Sequence, residues 1–133
     1  MAITLTADAT ALALAEDLRW TDEAEWSPVE QSVERSITGS LIVSVADRSN
    51  SGRPITLAPP DESSAWMPRS SLEQLMAWAA IPGKQMVLTL RGVNRTVMFR
   101  HQDAPVLQAE PVLFIADPQA TDPHLVTIRL MQV

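Results

Sequence analysis

Alternating apolar and polar positions predict that most of this chain is β-structure. The firmest example runs from Gln85 to Arg100, where two alternating segments flank a turn that contains glycine and asparagine. Alternation buries one face of a strand and exposes the other, and these two residue types accept the positive φ of tight turns. The segment is therefore predicted to be a β-hairpin. Shorter strands are predicted at residues 2–7, 53–57, 106–115 (interrupted by Pro111) and 125–133.

The longest strand pattern lies between Gln31 and Ala46. One parity is held there by Val33, Ile37, Leu41, Val43 and Val45, while serine, threonine and glutamate hold most of the other. A strand of this length exceeds the usual value of about five or six residues, so we expect it to bend or to project beyond the core. Gly39 interrupts the apolar face and indicates a bulge, or a bend between two sheets.

One helix is predicted at about residues 70–80. Ser70 and Glu73 have the spacing of a capping box, in which each side chain bonds a free backbone N–H at the start of the helix. Proline at position 82 is expected to end the helix, because it disfavours the α conformation in the residue before it. A single apolar stripe at helical spacing is formed by Leu72, Leu75, Met76 and Ala79.

Together these elements predict one domain over residues 1–133, of the mainly β (α+β) class. Strands with one embedded helix are expected to form an antiparallel β-sandwich or a partly open barrel. We expect residues 36–133 to be the β-rich core and residues 1–35 to be an acidic N-terminal segment. The pattern leaves the conformation of residues 8–30 open, since 9–18 fits either a short helix or a continued strand.

Charge is concentrated at the N-terminal end. Residues 1–34 hold eight acidic groups against Arg19 alone, a net −7, so the remainder carries +1 of the total −6. The acidic segment fits either a solvated face or a surface that docks on a basic partner. Without a concentrated basic patch, nucleic acid is not an expected partner. No apolar run is long enough to span a membrane, and the N-terminus lacks the basic region of a signal peptide, so synthesis in the cytoplasm is expected.

The residues indicate no catalytic, metal or cofactor chemistry. The chain has no cysteine, which excludes disulfides and cysteine-based zinc sites. His101 and His124 have neither a nucleophile nor a carboxylate at a motif spacing, and the four glycines stand singly, so no phosphate loop can form. We therefore expect a protein that is not an enzyme and that binds no cofactor.

Residue types enriched at protein interfaces are abundant instead, with four tryptophans, six methionines and nine arginines. Trp20 and Trp26 flank an acidic loop and fit either an anchor that pins this loop to the core or a surface for a partner. Trp78 fits either a core or rim position or an interface anchor. The candidate interface residues are Trp20, Trp26, Trp66, Trp78, Arg35, Arg53 and Arg69.

Five motifs within residues 36–133 carry a family resemblance: the strand GRPITL, the loop WMPR before the helix, the hairpin TLRG, the return strand VMFRH and the ending RLMQV. They resemble segments of small tail structural proteins encoded by tailed bacteriophages and by prophages of Gram-negative bacteria. The first 35 residues have no counterpart in this resemblance.

The resemblance implies a β-sandwich with one helix and a protruding hairpin, as in distal tail proteins. It further implies a non-enzymatic ring at the tail tip or baseplate of the virion, which joins the tail tube to the hub. Partners would be copies of the same chain, the tail tube and the hub, and 31–46 would be either the strand that pairs between subunits or a bent core strand. Two alternatives remain: a tail-completion or head–tail connector protein, and a small-ligand-binding or accessory domain of a bacterial protein.

Overall fold

The computed structural model describes residues 2–49 and 51–133. Within those ranges the chain forms eleven strands, one α-helix and a short 3-10 helix at His101–Asp103. The elements are β1 (Ile3–Ala7), β2 (Thr10–Leu14), β3 (Arg19–Trp20), β4 (Val29–Arg35), β5 (Leu41–Asp47), β6 (Pro54–Ala58), β7 (Trp66–Pro68), α1 (Arg69–Ala79), β8 (Gln85–Leu90), β9 (Val93–Phe99), β10 (Leu107–Pro111) and β11 (Pro123–Gln132).

Nine of these strands form one large antiparallel sheet. Its order is β2-β1-β8-β9-β11-β6-β3, and β10 and β7 also pair with β11. Strands hold 47% of the chain and helix 11%, so the prediction of a mainly β fold with one helix is confirmed. The fold is sandwich-like, and the described strands do not close into a barrel.

The last strand, β11, organises the sheet because it pairs with four other strands, β6, β7, β9 and β10. Val126, Ile128 and Leu130 alternate along it and are fully buried, as the sequence pattern predicts. Alternation places all three on one face of the strand, and that face lies in the hydrophobic core.

Two tight hairpins have turns with positive φ at both central residues. The predicted hairpin of β8 and β9 is confirmed, with its turn at Arg91 (φ 52°) and Gly92 (φ 76°). A second one joins β1 to β2 through Asp8 (φ 49°) and Ala9 (φ 64°). The segment whose conformation the pattern left open therefore continues as a strand at Thr10–Leu14. Because β1 pairs with both β2 and β8, the first residues of the chain are part of the large sheet.

The helix has the predicted extent but not the predicted cap. Its N-cap is Pro68, and no side chain caps the first turn, so the capping box of Ser70 and Glu73 is wrong. Glu73 instead accepts a hydrogen bond of 3.2 Å from Arg69 Nε. The buried face also differs from the prediction, because Met76 is 53% exposed. That face consists of Ser71, Leu72, Leu75 and Trp78.

The strand predicted at 106–115 ends earlier, at Pro111. Pro111 pairs with His124 at the beginning of β11, so the residues that follow have almost no neighbouring strand left to join. The next apolar residues therefore lie in a loop, where Leu113, Phe114 and Ile115 are 61%, 89% and 45% exposed. No helix in the described part of the chain is long and apolar enough to cross a membrane.

Candidate interaction surface

The long strand predicted between Gln31 and Ala46 is a β-hairpin, which we call the arm (residues 29–47). Its strands β4 and β5 pair with each other and belong to no other sheet. The turn between them is closed by hydrogen bonds from Ser36 N to Ser40 O (2.8 Å) and from Gly39 N to Ser36 O (2.9 Å). Gly39 has φ +88°, a conformation that glycine adopts readily and other residues rarely do. The prediction of one strand through Gly39 is therefore wrong, since this glycine forms a turn.

The pairing of β4 with β5 gives the arm one apolar face. Residues that lie directly opposite each other in two paired strands point to the same side of the sheet, and Val33 lies opposite Val43. Alternation then extends this side along both strands, while the other side is mostly polar and carries Ser32 opposite Ser44. The apolar face consists of Val29, Val33, Leu41, Val43 and Val45.

This apolar face is open to solvent. Every residue of β4 and β5 is exposed, and Val33 and Val45 keep 54% and 62% of their surface accessible. Ile37, in the turn, is fully exposed. The alternative of a bent core strand is thus wrong. A contiguous exposed apolar patch is typical of a surface that another protein covers. An isolated two-stranded hairpin is also only marginally stable in water, so contact with a partner would stabilise the arm.

The base of the arm is held by an alternating stack of arginines and tryptophans, which we call the ladder. The Arg53 guanidinium lies 4.6 Å from the ring centroid of Trp20 and 5.9 Å from that of Trp26. Arg95 lies 5.0 Å from Trp20 on the core side, and Arg48 lies 5.3 Å from Trp26 on the arm side. Each contact is within the range of a cation–π interaction, so the ladder links the large sheet to the arm.

Hydrogen bonds complete this attachment. Arg48 Nη2 donates to Ser27 O (3.0 Å), and Arg48 N donates to Pro28 O (2.6 Å), so the end of β5 is bound to the start of β4. Arg53 Nη2 donates to Glu23 O (3.1 Å), which holds the acidic loop that precedes the arm. These hydrogen bonds and the ladder therefore attach the base of the arm to the rest of the domain.

A partly buried polar network holds the same loop against the large sheet. Asp22 accepts hydrogen bonds from Thr56 N (3.0 Å) and Thr56 Oγ1 (2.8 Å). Arg100 donates from Nη2 to Thr56 Oγ1 (3.0 Å) and from Nη1 to Leu130 O (3.1 Å). Arg100 lies just beyond the end of β9 and is buried.

Arg95 remains charged at neutral pH. Burial lowers the pKa of Arg95, and the positive charge of the neighbouring Arg53 lowers this pKa further. Arginine titrates so far above neutral pH that its guanidinium stays protonated despite such a shift. The cation–π contact of Arg95 with Trp20 is therefore available under physiological conditions.

Replacing Arg53 with methionine is expected to lower the free energy of unfolding by about 1–2 kcal/mol, since two cation–π contacts are lost at a partly buried site. The change should also raise the solvent exposure of Trp26, because its ring loses one of its two arginine neighbours. Urea unfolding and quenching of tryptophan fluorescence measure both effects. Arg19→Met at an exposed position serves as the control and should leave both unchanged. Equal behaviour of the two variants would show that the ladder does not hold the arm.

The structure divides the candidate interface residues into three groups. Trp20 and Trp78 are each only 5% exposed and belong to the core, so neither ring is open to a partner, and Trp26 is half-buried in the ladder. Thus Trp20 and Trp26 do pin the acidic loop. Accessible positions are held by Trp66, which is 50% exposed, and by Arg35 beside the arm turn.

The remaining candidates have partners within the chain. Arg53 is the centre of the ladder, and Arg69 lies between Glu73 and His124, with its Nη1 3.5 Å from His124 Nε2. The pattern missed Arg48 and Arg95, because nothing in a sequence shows that positions so far apart flank the same pair of rings.

Among residues 2–49 and 51–133, no group of three or more histidine, aspartate or glutamate side chains is placed to share a metal ion. Comparison of the chain with protein-family models, curated proteins and solved structures found no match.

Proposed function

We propose that this protein is a non-enzymatic structural component of a bacteriophage tail tip or baseplate, similar to a distal tail protein. Copies of the chain assemble into a ring that joins the tail tube to the hub, and the mature protein resides in the virion. The observation that carries this proposal is the exposed apolar face of the arm, together with the tail-protein motifs in residues 36–133.

The arm supports assembly because its apolar face is exposed to water, and covering that face with a partner lowers the free energy. Five aliphatic side chains on one face of the hairpin are accessible to water. Covering apolar surface contributes about 25 cal/mol per Å², and this is the main favourable term in most protein association. Both outer edges of the arm also carry unpaired backbone groups, which another strand can complete by sheet augmentation.

A fixed arm base suits a ring. When a projecting element meets a different surface on the next copy, the contact is heterologous, and repeated contacts close into a ring if each one rotates the chain by the right angle. That angle is constant only when the arm has a defined direction, and the ladder and the Arg48 hydrogen bonds provide this.

The number of copies per virion tests this function. Quantitative mass spectrometry of purified particles from the phage or prophage that encodes the chain should find a small fixed number of copies, in constant ratio to the other tail proteins. Electron microscopy with an antibody should place them at the tail tip. Copies at the head–tail junction would support the connector alternative, and absence from particles together with a stable monomer in solution would contradict the proposal.

A further inference from the structure

A second feature of the surface is a groove beside β10, which we call the β10 groove. It is lined by Gln108 and Glu110 of β10, by Leu125 and Thr127 of β11, which lie opposite them in the sheet, and by the loop that contains Asp61 and Glu62. The volume is about 560 Å³. At one end the groove continues into a smaller depression lined by Phe114.

The surface beside the groove has the residue types of a protein-binding site. Leu125 pairs with Glu110 on one side and with Trp66 on the other, so all three side chains share one face of the sheet. Trp66 is 50% exposed, and Phe114 at the end of the groove is 89% exposed. Tryptophan and other aromatics on an open surface are the residues that most often supply binding energy at interfaces.

The groove is also acidic. Asp61, Glu62 and Glu110 line it together, while the cation Arg129 lies at the Gln108 end, where its Nη2 donates a hydrogen bond to Gln108 Oε1 (3.4 Å). Hydrogen bonds from the hydroxyl and the backbone of Ser63 hold the pKa of Asp61 below its ordinary value. The groove therefore presents negative charge at neutral pH.

The tip of the arm (residues 35–41) has the complementary chemistry. Arg35 is its only charged residue, and Ile37 is its most exposed apolar one, with its whole surface accessible. Arg35 Nη1 donates to Gly39 O (3.2 Å), which places the guanidinium beside the turn. A cation next to an aliphatic side chain fits a groove in which carboxylates lie next to an aromatic ring.

We propose that the β10 groove receives the arm tip of a second copy of this chain, with Arg35 facing the groove carboxylates and Ile37 packing against Phe114. This inference rests on the proposed function, because it names the surface that the arm meets on the neighbouring subunit. The arm tip and the β10 groove are different surfaces. Each copy can therefore insert its arm tip into one neighbour and bind the arm tip of another, and repeated contacts of this kind can close into a ring.

A charge-reversal experiment on the full chain tests the docking. Arg35→Glu changes only the arm, and the double variant Glu62→Arg/Glu110→Arg changes only the groove. Each is expected to weaken self-association by about tenfold or more, since like charges then meet in a contact that was attractive. An equimolar mixture is expected to recover association, because the wild-type arm of one variant meets the wild-type groove of the other. Sedimentation velocity over a concentration series measures this.

The control is Asp17→Arg/Glu25→Arg, which makes the same change of net charge at exposed positions outside the groove and should associate like the wild type. Circular dichroism and urea unfolding establish that each variant is folded. If the groove variant associates as well as this control while Arg35→Glu does not, the arm meets another surface and the inference is overturned. A wild-type chain that stays monomeric at the highest soluble concentration overturns it as well, whereas the copy number in virions is an independent test of the tail function.

Discussion

The double variant Val33→Glu/Val43→Lys is expected to abolish self-association while the domain stays folded. The two valines face each other at the centre of the apolar face of the arm and are 54% and 47% exposed. Covering the exposed half of one such side chain contributes about 0.8 kcal/mol or more, so loss of both should weaken association by at least about tenfold. Charged groups in their place add a desolvation cost. Light scattering after size-exclusion chromatography measures the mass over a concentration series.

A matched control exists on the opposite face of the same hairpin. Ser32 lies opposite Ser44, one position along the strands from Val33 and Val43. The variant Ser32→Glu/Ser44→Lys therefore introduces the same ion pair on the polar side of the arm. This variant is expected to associate like the wild type. If both double variants lose association equally, association depends on the backbone of the arm or on its folding, and the apolar face is not the contact surface.

Leu130→Ala is expected to lower the free energy of unfolding by about 3–4 kcal/mol, a large part of the stability of a domain of this size. Leu130 is fully buried on β11, the strand that pairs with four others, and it lies opposite both Ile55 of β6 and Phe99 of β9. The cavity left by the change would touch both neighbouring strands. Urea unfolding followed by circular dichroism measures the loss.

The control for this change is Val133→Ala, three residues further along at an exposed position. It removes aliphatic groups that are 42% accessible in the folded state, so its effect is expected to be within about 0.5 kcal/mol. A loss below about 1 kcal/mol for Leu130→Ala would mean that the strand is not central to the core.

Local patterns predict the elements whose partners are near in sequence or whose burial is complete. The hairpin of β8 and β9 follows from its alternation and its glycine turn, and β11 follows from Val126, Ile128 and Leu130, which are all buried. The helix is predicted for the same reason, although tertiary packing selects Trp78 for its inner face in place of Met76.

The arm shows why the alternation of apolar and polar residues alone does not locate every turn. In its register the position numbers of paired residues, such as Val33 and Val43, have the same parity. Most apolar residues of both strands, with Ile42 and Ala46 as exceptions, therefore fall on odd positions, and the alternation runs through the turn as if the strand were continuous. Gly39 is the one local sign of a turn, and a bulge explains a single glycine equally well.

The surroundings of the candidate surface could not be predicted at all. Trp20, Arg53 and Arg95 form part of one ladder although they belong to three different regions of the chain. The β10 groove likewise combines the loop at 59–62 with β10 and β11. Such sites depend on the order of strands in the sheet, and a single sequence contains no direct record of that order.

Hydrogen exchange of the arm is the most direct test of the central claim, that a second copy covers it. At low concentration the amides of residues 29–47 have only each other for protection, so they should exchange quickly. At concentrations where the mass in solution rises, the same amides should become protected, while those of β11 stay equally slow throughout. A rise in mass with no change in exchange across the arm would contradict the account.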